Sequence, residues 1–336
     1  MQSLVVGVDA GATSTRVAVH TLDGTRVGYA RAGAGNPTAH GLAKAVSAIE
    51  TALGQALGSL DGSRVVASLA GVAGHVEEMV PALAKVWAGQ GIAAEPRYMG
   101  DVPIAYAAGS PEPDGSLLLS GTGAVAARIA GFELGVVADG LGWLLGDAGS
   151  GFWIGREAAR AVVDAFDRGL PVAALDRTVP DRDPASGAGG AEAGNGLLVA
   201  LVGEHFLGAE RPATPRAVAD RIVRLAQADH MRLAALSPLV GRAASEGDPL
   251  AAGIVREAAG HLVATLRRVH TSGPVVLAGS VLTNPGPVRQ AVTELLAGER
   301  VTTAGDAASA AAWLAARDQL PEPDAKALHS TFTATT

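Results

Sequence analysis

Short apolar runs separated by tight turns open the chain. Residues 4–8, 16–20 and 26–31 predict three strands, and Leu22-Asp23-Gly24 predicts the hairpin turn between the last two. Helical spacing then alternates with short apolar runs. This pattern predicts helix, strand, helix, strand and helix over residues 41–57, 64–69, 76–88, 97–99 and 102–108. The predicted order is βββαβαβα.

The second half of the chain repeats this order after a Pro-Glu-Pro-Asp-Gly linker at residues 111–115. Strands are predicted at Ser116, at Val125 and over residues 134–137. A long helix is predicted over residues 152–167, followed by helices throughout 197–268. Strand, helix, strand and helix then follow over residues 275–278, 288–297, 301–303 and 307–317. Such a repeat indicates an internal duplication.

These elements predict one domain over residues 1–113 and a second over residues 114–318, whose last helix is free to pack back on the first domain. The second domain carries an insertion around residues 168–270. Within it, residues 168–196 are rich in Pro, Gly, Asp and Ala and lack periodicity, which indicates a flexible surface segment. Residues 319–336 are predicted to be a disordered tail.

Each half begins with a strand, a loop of small residues and a second strand. In the first half the strand ends at Asp9 and the loop covers residues 10–13; in the second half the loop is Gly121-Thr122-Gly123. Backbone N–H groups and hydroxyls in such loops can close around an anion. Asp9 is suited to hold Mg²⁺ through water, since Mg²⁺ prefers few carboxylates together with water and phosphate oxygens. One such loop is more often only a turn, and the second loop strengthens the phosphate-binding interpretation.

Composition excludes several functional classes. The 336 residues are enough for two domains of ordinary size. Cysteine is absent, which excludes disulfides, iron–sulfur clusters and cysteine-ligated zinc and fits a reducing compartment. The net charge of −7 disfavours nucleic-acid or anionic-membrane partners. The sequence shows no apolar run of membrane-spanning length and no recognisable signal peptide. We therefore expect a cytoplasmic protein.

The most specific motif is a dense glycine-rich segment at residues 140–155, Gly-Leu-Gly-Trp-Leu-Leu-Gly-Asp-Ala-Gly-Ser-Gly-Phe-Trp-Ile-Gly. With it, and with Gly121-Thr122-Gly123, Glu246-Gly247-Asp248-Pro249 and Leu277-Ala278-Gly279-Ser280, the chain resembles the N-acetylglucosamine kinase branch of the BadF/BadG/BcrA/BcrD ATPase group, over residues 4–317. That group belongs to the actin–hexokinase–Hsp70 superfamily. The resemblance implies an α/β fold of two ribonuclease H-like βββαβαβα domains, the actin-like ATPase fold, flanking a central cleft.

The resemblance also implies an ATP- and Mg²⁺-dependent phosphoryl transfer. Asp101, which follows a strand end at Gly100, matches the general base that would take the proton of a sugar 6-hydroxyl. From the residues alone, an N-cap of the following helix is the alternative role. Asp9 would hold Mg²⁺ through water. Contacts to ATP are implied at Gly11, Ala12, Thr13, Ser14, Gly121, Thr122, Gly123, Gly279 and Ser280.

Sugar contacts are implied around the same cleft. Asp147 would accept hydrogen bonds from sugar hydroxyls, or else cap the following helix near Gly149-Ser150. Leu141 stands where the animal N-acetylglucosamine kinases have Trp, so the wall beside the N-acetyl group is expected to differ. Asn36 precedes Pro37 rather than His, and its alternative role is that of a turn residue. The implied substrate set is Asn36, Gly71, Asp101, Gly140, Leu141, Gly142 and Asp147.

The acceptor and the functional class stay open at this point. The resemblance favours N-acetylglucosamine, with glucosamine, N-acetylmannosamine, a muramic-type sugar or kanosamine as alternatives, and it implies a homodimer. An activator of radical dehydratases on the same fold is excluded, because its iron–sulfur cluster needs cysteines. The missing cysteines also disfavour a sugar kinase of the zinc-containing repressor/open-reading-frame/kinase type. The alternative from another class is a catalytically silent sugar or nucleotide sensor, although Asp9, Asp101 and Asp147 argue against it.

Overall fold

The computed structural model describes residues 2–74, 76–176 and 196–334. Its first sheet has the strand order β3-β2-β1-β4-β5. Neighbours among β1, β2 and β3 are antiparallel, whereas β4 is parallel to β1 and β5 is parallel to β4. The strands are β1 (Leu4–Ala10), β2 (Thr15–Thr21), β3 (Arg26–Ala32), β4 (Val65–Val72) and β5 (Arg97–Gly100).

The second sheet repeats this topology in the order β10-β9-β6-β7-β8, with β6 in the place of β1. Its strands are β6 (Gly115–Ser120), β7 (Ala124–Ala130), β8 (Glu133–Asp139), β9 (Val275–Ala278) and β10 (Val301–Thr303). The predicted α/β fold of two duplicated βββαβαβα units is thereby confirmed.

Helices follow the parallel strands and fill the insertion. In the first half they are α1 (Pro37–His40), α2 (Leu42–Leu57), α3 (Met79–Gly89) and α4 (Asp101–Ala107). The second half contains α5 (Gly151–Asp167), α6 (Leu197–Leu207), α7 (Pro215–Ala228), α8 (Met231–Ala234), α9 (Ser237–Ser245), α10 (Pro249–Arg267), α11 (Ser280–Thr283), α12 (Pro287–Leu295), α13 (Ala307–Ala316) and α14 (Glu322–Thr333). None of the helices in the described ranges is both long and apolar enough to cross a membrane.

The central strand β1 is buried on both faces, which is why its sequence is a continuous apolar run. Leu4, Val6 and Val8 pack in one core with residues of α2 and α3. Val5 packs on the other face, in a core that contains residues of α4 and α13. Alternation along the strand therefore turns Asp9 toward the α4 and α13 side.

The last predicted helix, α13, lies against the first sheet. Gly7 makes this possible, because a Cβ at position 7 would overlap backbone atoms of Ala308 and Ala312. The apolar core on this face draws residues from both sheets, including Leu69, Leu117 and Val276. The chain thus returns from its second half to cover a strand of its first half. The predicted boundary near residue 113 stays a prediction.

The predicted disordered tail is wrong over residues 322–333, which form α14. Ala325, His329 and Phe332 are buried at helical spacing. Trp313 Nε1 donates to Ala325 O (2.7 Å), and His329 Nε2 donates to Ala107 O (2.7 Å). These contacts with α13 and α4 order the segment, although its composition is largely polar.

The predicted flexible segment lies only partly within the described residues. Residues 172–176 form a 3₁₀ turn, with Leu175 buried against the second-half core. Residues 177–195 lie outside the described ranges. The remainder of the insertion is helical, as expected, and forms α6 to α10.

Candidate active site

The turn between β1 and β2 is the first predicted phosphate loop. Gly11 N donates to Ser14 O (2.9 Å), and residues 12 and 13 are exposed at the tip. Ser14 is buried, so its side chain does not share that exposure. Gly35 N donates to Gly11 O (3.0 Å), and His40 Nε2 donates to Ala12 O (2.9 Å). The loop after β3 therefore braces a turn whose exposed tip is suited to an anion.

The equivalent turn between β6 and β7 is fixed to the start of α5. Gly121 N donates to Gly123 O (2.9 Å) and closes the turn. Gly151 N donates to Gly121 O (2.7 Å), and Phe152 N donates to Thr122 O (3.3 Å). Thr122 is exposed at the tip, as residues 12 and 13 are in the first turn. The two predicted phosphate loops therefore occupy equivalent places in the duplicated fold.

Asp9 is an incompletely neutralised carboxylate at the end of β1. Burial raises its pKa to about 6, against the charge of Arg16, whose Nη1 lies 3.3 Å from Asp9 Oδ2. A bound cation would relieve this energetic cost. Within the described ranges, no group of three or more His, Cys, Asp or Glu side chains could hold a metal. A single carboxylate directly before the first predicted phosphate turn nevertheless fits Mg²⁺, which takes its remaining ligands from water and phosphate oxygens.

Asp101 directly follows β5, at the same end of the sheet as Asp9. In the register of the sheet, Asp9 lies opposite Gly71 and Gly71 lies opposite Met99, so β4 alone separates the two strand ends. Asp101 is the first residue of α4, and Gly100 has the extended N-cap conformation. Gly100 rather than Asp101 is therefore the N-cap residue, although the Asp101 carboxylate accepts from the amides of Asp101 and Val102 in the first turn. Burial raises the pKa of the Asp101 carboxyl, which suits it to accept a proton.

Asp306 is a third carboxylate in this region, and it is not among the residues predicted from the sequence. It caps α13, with Oδ1 accepting from Ser309 N (2.7 Å), and Oδ2 accepts from Tyr29 Oη (2.7 Å). Its charge adds to that of Asp101 in raising the pKa of Asp9. The sequence did contain a sign of it, because a Gly-Asp pair precedes a helix at Gly100-Asp101 and again at Gly305-Asp306.

Two aspartates hold the glycine-rich loop between β8 and α5. Asp139 accepts from the amides of Asp147 (2.8 Å) and Ala148 (3.2 Å). Asp147 accepts from Gly142 N (3.2 Å) and from the amide of Ala124. Both aspartates have a positive φ, 65° at Asp139 and 56° at Asp147. Such strain at the ends of one loop is typical of functional sites. The sequence did not single out Asp139.

Asp147 links this loop to the second phosphate turn. A Cβ at position 123 would come within 2.7 Å of Asp147 Oδ2, so the carboxylate lies directly against Gly123. Burial raises the pKa of the Asp147 carboxyl. The N-cap of α5 is Ser150, whose hydroxyl accepts from Trp153 N (3.1 Å). The alternative in which Asp147 caps this helix is therefore wrong.

The loop also exposes apolar side chains. Leu141 lies between Gly140 (φ 73°) and Gly142 (φ 82°) and is 70% exposed. Leu144 and Leu145 are 69% and 82% exposed. Three exposed leucines on one loop indicate a surface that a ligand or a moving lobe covers.

The two remaining sugar-site candidates, Asn36 and Gly71, lie in different surroundings. Asn36 caps α1, and its Oδ1 accepts from Thr38 N (2.9 Å) and Ala39 N (3.0 Å). The side-chain oxygen is thus engaged, which leaves its amide nitrogen as the group to meet a ligand. Gly71 is buried inside β4, and a Cβ there would overlap Ile104. Gly71 therefore lies near the end of β4 between Asp9 and Met99, with its Cα face covered by Ile104.

A cavity of about 470 Å³ opens beside the second phosphate turn, within the range of ligand pockets. Gly279 packs on this turn so closely that a Cβ there would overlap Ser120 O. Gly121, Thr122 and Ser280 line the cavity together with residues that the sequence did not point to, including Ala234, Ala235, Ser237, Gly241, Arg242 and Asn284. These come from the insertion and from the loop before α12, so their proximity depends on the fold.

A larger cavity of about 1080 Å³ lies between α5 and α7, and no residue of either phosphate turn lines it. Charged groups along it pair with one another, as Arg168 does with Asp164 (2.9 Å) and Arg216 with Asp167 (2.6 Å). Its size therefore does not make it the candidate active site. The two turns, Asp9, Asp101 and the glycine-rich loop define that site.

This arrangement, two duplicated α/β units that each present a predicted phosphate turn, defines the class as a two-domain ATPase fold. The chain belongs to the BadF/BadG/BcrA/BcrD ATPase family, whose sequence profile matches residues 6–316. A comparison with curated proteins found no match.

Solved structures share the fold. A candidate N-acetylglucosamine kinase from Chromobacterium violaceum is 24% identical, with 93% of this chain and 99% of that chain covered and a TM-score of 0.64. A second candidate N-acetylglucosamine kinase, from Porphyromonas gingivalis, is 18% identical, with coverages of 95% and 100% and a TM-score of 0.62. A ROK family glucokinase from Streptomyces griseus, in complex with glucose and AMPPNP, is 21% identical, with coverages of 93% and 99% and a TM-score of 0.52.

Proposed function

We propose that this protein is an ATP- and Mg²⁺-dependent sugar kinase that phosphorylates the 6-hydroxyl of an amino sugar, with N-acetylglucosamine as the acceptor. The observation that carries the proposal is the placement of Asp101. This half-buried carboxylate, whose pKa is raised, lies at the same end of the sheet as Asp9 and the first phosphate turn. A silent sensor would have no use for a base at that position.

Phosphoryl transfer needs positioning, charge stabilisation and a base for the attacking hydroxyl. In the proposed reaction, Asp101 accepts the proton of the sugar hydroxyl while the hydroxyl oxygen bonds to the γ-phosphorus of ATP. The bond between that phosphorus and ADP breaks, and ADP leaves. The raised pKa of Asp101 brings this base closer to the pH at which it works. The exposed tips at residues 12 and 13 and at Thr122 would contact the phosphates. Asp9 would hold Mg²⁺ through water, and the metal would neutralise developing phosphate charge.

The adenosine would occupy the cavity lined by Thr122, Ser280, Arg242 and Asn284. Its wall includes the turn that carries Gly121 and the start of α11, two segments at which the sequence resemblance implies contacts to ATP. The volume of about 470 Å³ is suitable for a nucleoside.

The sugar would lie between Asp101 and the glycine-rich loop. Asp147 and the backbone of residues 140–142 would accept and donate hydrogen bonds to its hydroxyls, and the Asn36 amide nitrogen would donate from the opposite side. The exposed Leu141 would cover an apolar part of the acceptor, which supports an acetylated amino sugar over a free amine. The fold likeness to two candidate N-acetylglucosamine kinases supports the same choice.

Glucosamine, N-acetylmannosamine, a muramic-type sugar and kanosamine are the competing acceptors. Discrimination among them rests on a few pocket contacts, each of about 1–3 kcal/mol. The cytoplasmic location and the homodimeric state expected from the sequence stay predictions.

The decisive experiment measures ADP release with Mg–ATP against a panel of hexoses and hexosamines. We expect turnover with N-acetylglucosamine, and a loss of kcat of at least about 100-fold in Asp101→Asn. Glu112→Gln is the matched control. Glu112 is a carboxylate outside the proposed site, and its Oε1 lies 3.0 Å from Lys326 Nζ. Slow ATP hydrolysis that is indifferent to every sugar and to Asp101 would overturn the kinase and favour the sensor.

A further inference from the structure

A stacked pair of rings joins the glycine-rich loop to the helical insertion. The ring centroids of Trp143 and His230 lie 5.2 Å apart, with 22° between their planes. Phe152 packs on the same indole at 4.8 Å. Arg156 Nη1 donates to Trp143 O (3.3 Å) and holds the backbone of the loop. Trp143 is 41% exposed, whereas Trp87, Trp153 and Trp313, the other tryptophans of the chain, are buried.

Phe152 and His230, the two residues that pack on the Trp143 ring, are connected to the second phosphate turn and to the cavity beside it. Phe152 N donates to Thr122 O (3.3 Å) in that turn. His230 begins a helical segment, since Leu233 N donates to His230 O (3.0 Å). The same segment continues into Ala234, Ala235 and Ser237, which line the cavity. The Trp143 ring therefore contacts the first residue of a segment whose last residues would contact a nucleotide.

The segment between His230 and the cavity is short and firmly seated. A Cβ at position 155 would overlap Leu233 O, so α8 lies directly on the backbone of α5. His205 Nε2 donates to Arg232 O (2.9 Å) from α6. A segment held on two sides can transmit a change at one end to the other, because it has little room to absorb the change internally.

We propose that the Trp143–His230 stack is a positioning contact that couples the glycine-rich loop to the nucleotide cavity. A nucleotide that fixes residues 234–237 would hold His230 and, through the stack, the loop that carries Asp147. Two ligands that order the same structure bind cooperatively, because the second pays less of the ordering entropy. The inference rests on the proposed function, since it takes the cavity as the nucleotide site and the loop as the sugar site.

The test compares the affinity of Mg–ADP, by calorimetry, with and without N-acetylglucosamine. We expect saturating sugar to tighten Mg–ADP binding at least about fivefold in the unmodified protein. His230→Ala should reduce this factor to about one, and His230→Phe should restore it, because a phenyl ring can stack on the indole.

The chain offers a matched control. Trp153, which lies on α5, has its own histidine contact: the ring centroids of Trp153 and His261 are 5.1 Å apart, with 72° between their planes. His230 is exposed and His261 is partly exposed. His261 lies on α10, however, and neither it nor its helix lines the cavity beside the second phosphate turn. His261→Ala should leave the coupling unchanged.

A second measurement needs no sugar. Because Trp143 is the exposed tryptophan, Mg–ADP should change the intrinsic fluorescence of the unmodified protein although the indole does not line that cavity. The change should vanish in Trp143→Phe, be strongly reduced in His230→Ala and persist in His261→Ala.

The outcomes separate this inference from the proposed function. If Mg–ADP and the sugar both bind but do not affect one another, or if His230→Ala retains the coupling and the fluorescence change, the inference is overturned and the kinase stands. If neither ligand binds the unmodified protein, the proposed function and the inference both fail.

Discussion

Asp9, near the end of β1, and Asp101, directly after β5, lie at the same end of the first sheet with β4 between their strands, and the charge of Asp101 adds to burial in raising the pKa of Asp9 to about 6. An acid whose pKa is raised by folding favours its protonated form in the native state. The cost of the charged form is therefore absent below the ordinary value of 3.8 and fully present above about pH 6. The site thus holds a carboxylate that folding disfavours and that a cation would stabilise.

Asp9→Asn should therefore stabilise the ligand-free protein while impairing its activity. We expect the free energy of unfolding to rise by about 3 kcal/mol near pH 7.5, with a gain near zero at about pH 3.8. Urea unfolding at the two pH values measures this difference. Asp23→Asn is the control of opposite sign, because the Thr21 hydroxyl lowers the pKa of the Asp23 carboxyl. An Asp9→Asn effect that is the same at both pH values would contradict the argument.

The pH profile of the reaction should report Asp101. Burial raises the pKa of this carboxyl, so the acid limb of kcat/KM should lie above its ordinary value of 3.8. The limb arises because the base must be deprotonated to accept the hydroxyl proton, and it should be lost from the residual activity of Asp101→Asn. Initial rates across the acid range test this expectation. Persistence of the same limb in the variant would assign it to another group.

Asp139→Asn should weaken sugar binding although residue 139 itself would not contact the sugar. The amide has one acceptor oxygen where the carboxylate has two, so one of the two N–H groups at residues 147 and 148 would face a donor. We expect KM for the sugar to rise about tenfold and the affinity for Mg–ADP to stay within about twofold. Glu133→Gln, at the exposed start of β8, is the control. Equal losses for both ligands would instead indicate general destabilisation.

Two glycine substitutions should have opposite signs. Gly7→Ala would force a methyl group into the backbone of α13 and should cost about 3 kcal/mol of unfolding free energy. Gly260 lies inside α10, where a Cβ would meet no atom within 4 Å, so Gly260→Ala should stabilise the protein by about 0.5–1 kcal/mol. Denaturant titration of both variants measures the contrast. A mild effect of Gly7→Ala would mean that α13 does not lie as close to β1 as described.

The sequence predicted what periodicity and repetition encode. The apolar run at residues 4–8 identified β1, because a strand buried on both faces needs no polar alternation. The echo of the first phosphate turn at Gly121-Thr122-Gly123 revealed the duplication, which the two sheets confirm. Gly100-Asp101 placed a carboxylate at a strand end. These features are local, so neighbouring residues suffice to read them.

Features that depend on contacts distant in sequence were missed. The tail at residues 322–333 is polar in composition, and its buried Phe332 packs on distant residues, the His20 ring of β2 (4.9 Å) and the core that contains residues of α4 and α13. Asp139 owes its importance to amides that the loop brings back to it. Ala234 and Gly121 line the same cavity, although their separation in the sequence gives no sign of it.

The position of α13 has a consequence for the history and handling of this protein. A duplication that had kept each unit intact would allow the halves to be cut apart at the linker and to fold separately. Here the carboxyl-terminal copy has given its final helix to cover the face of β1 that Gly7 keeps open. We therefore expect a fragment that ends near residue 113 to expose that apolar face and to fold poorly without the second half of the chain.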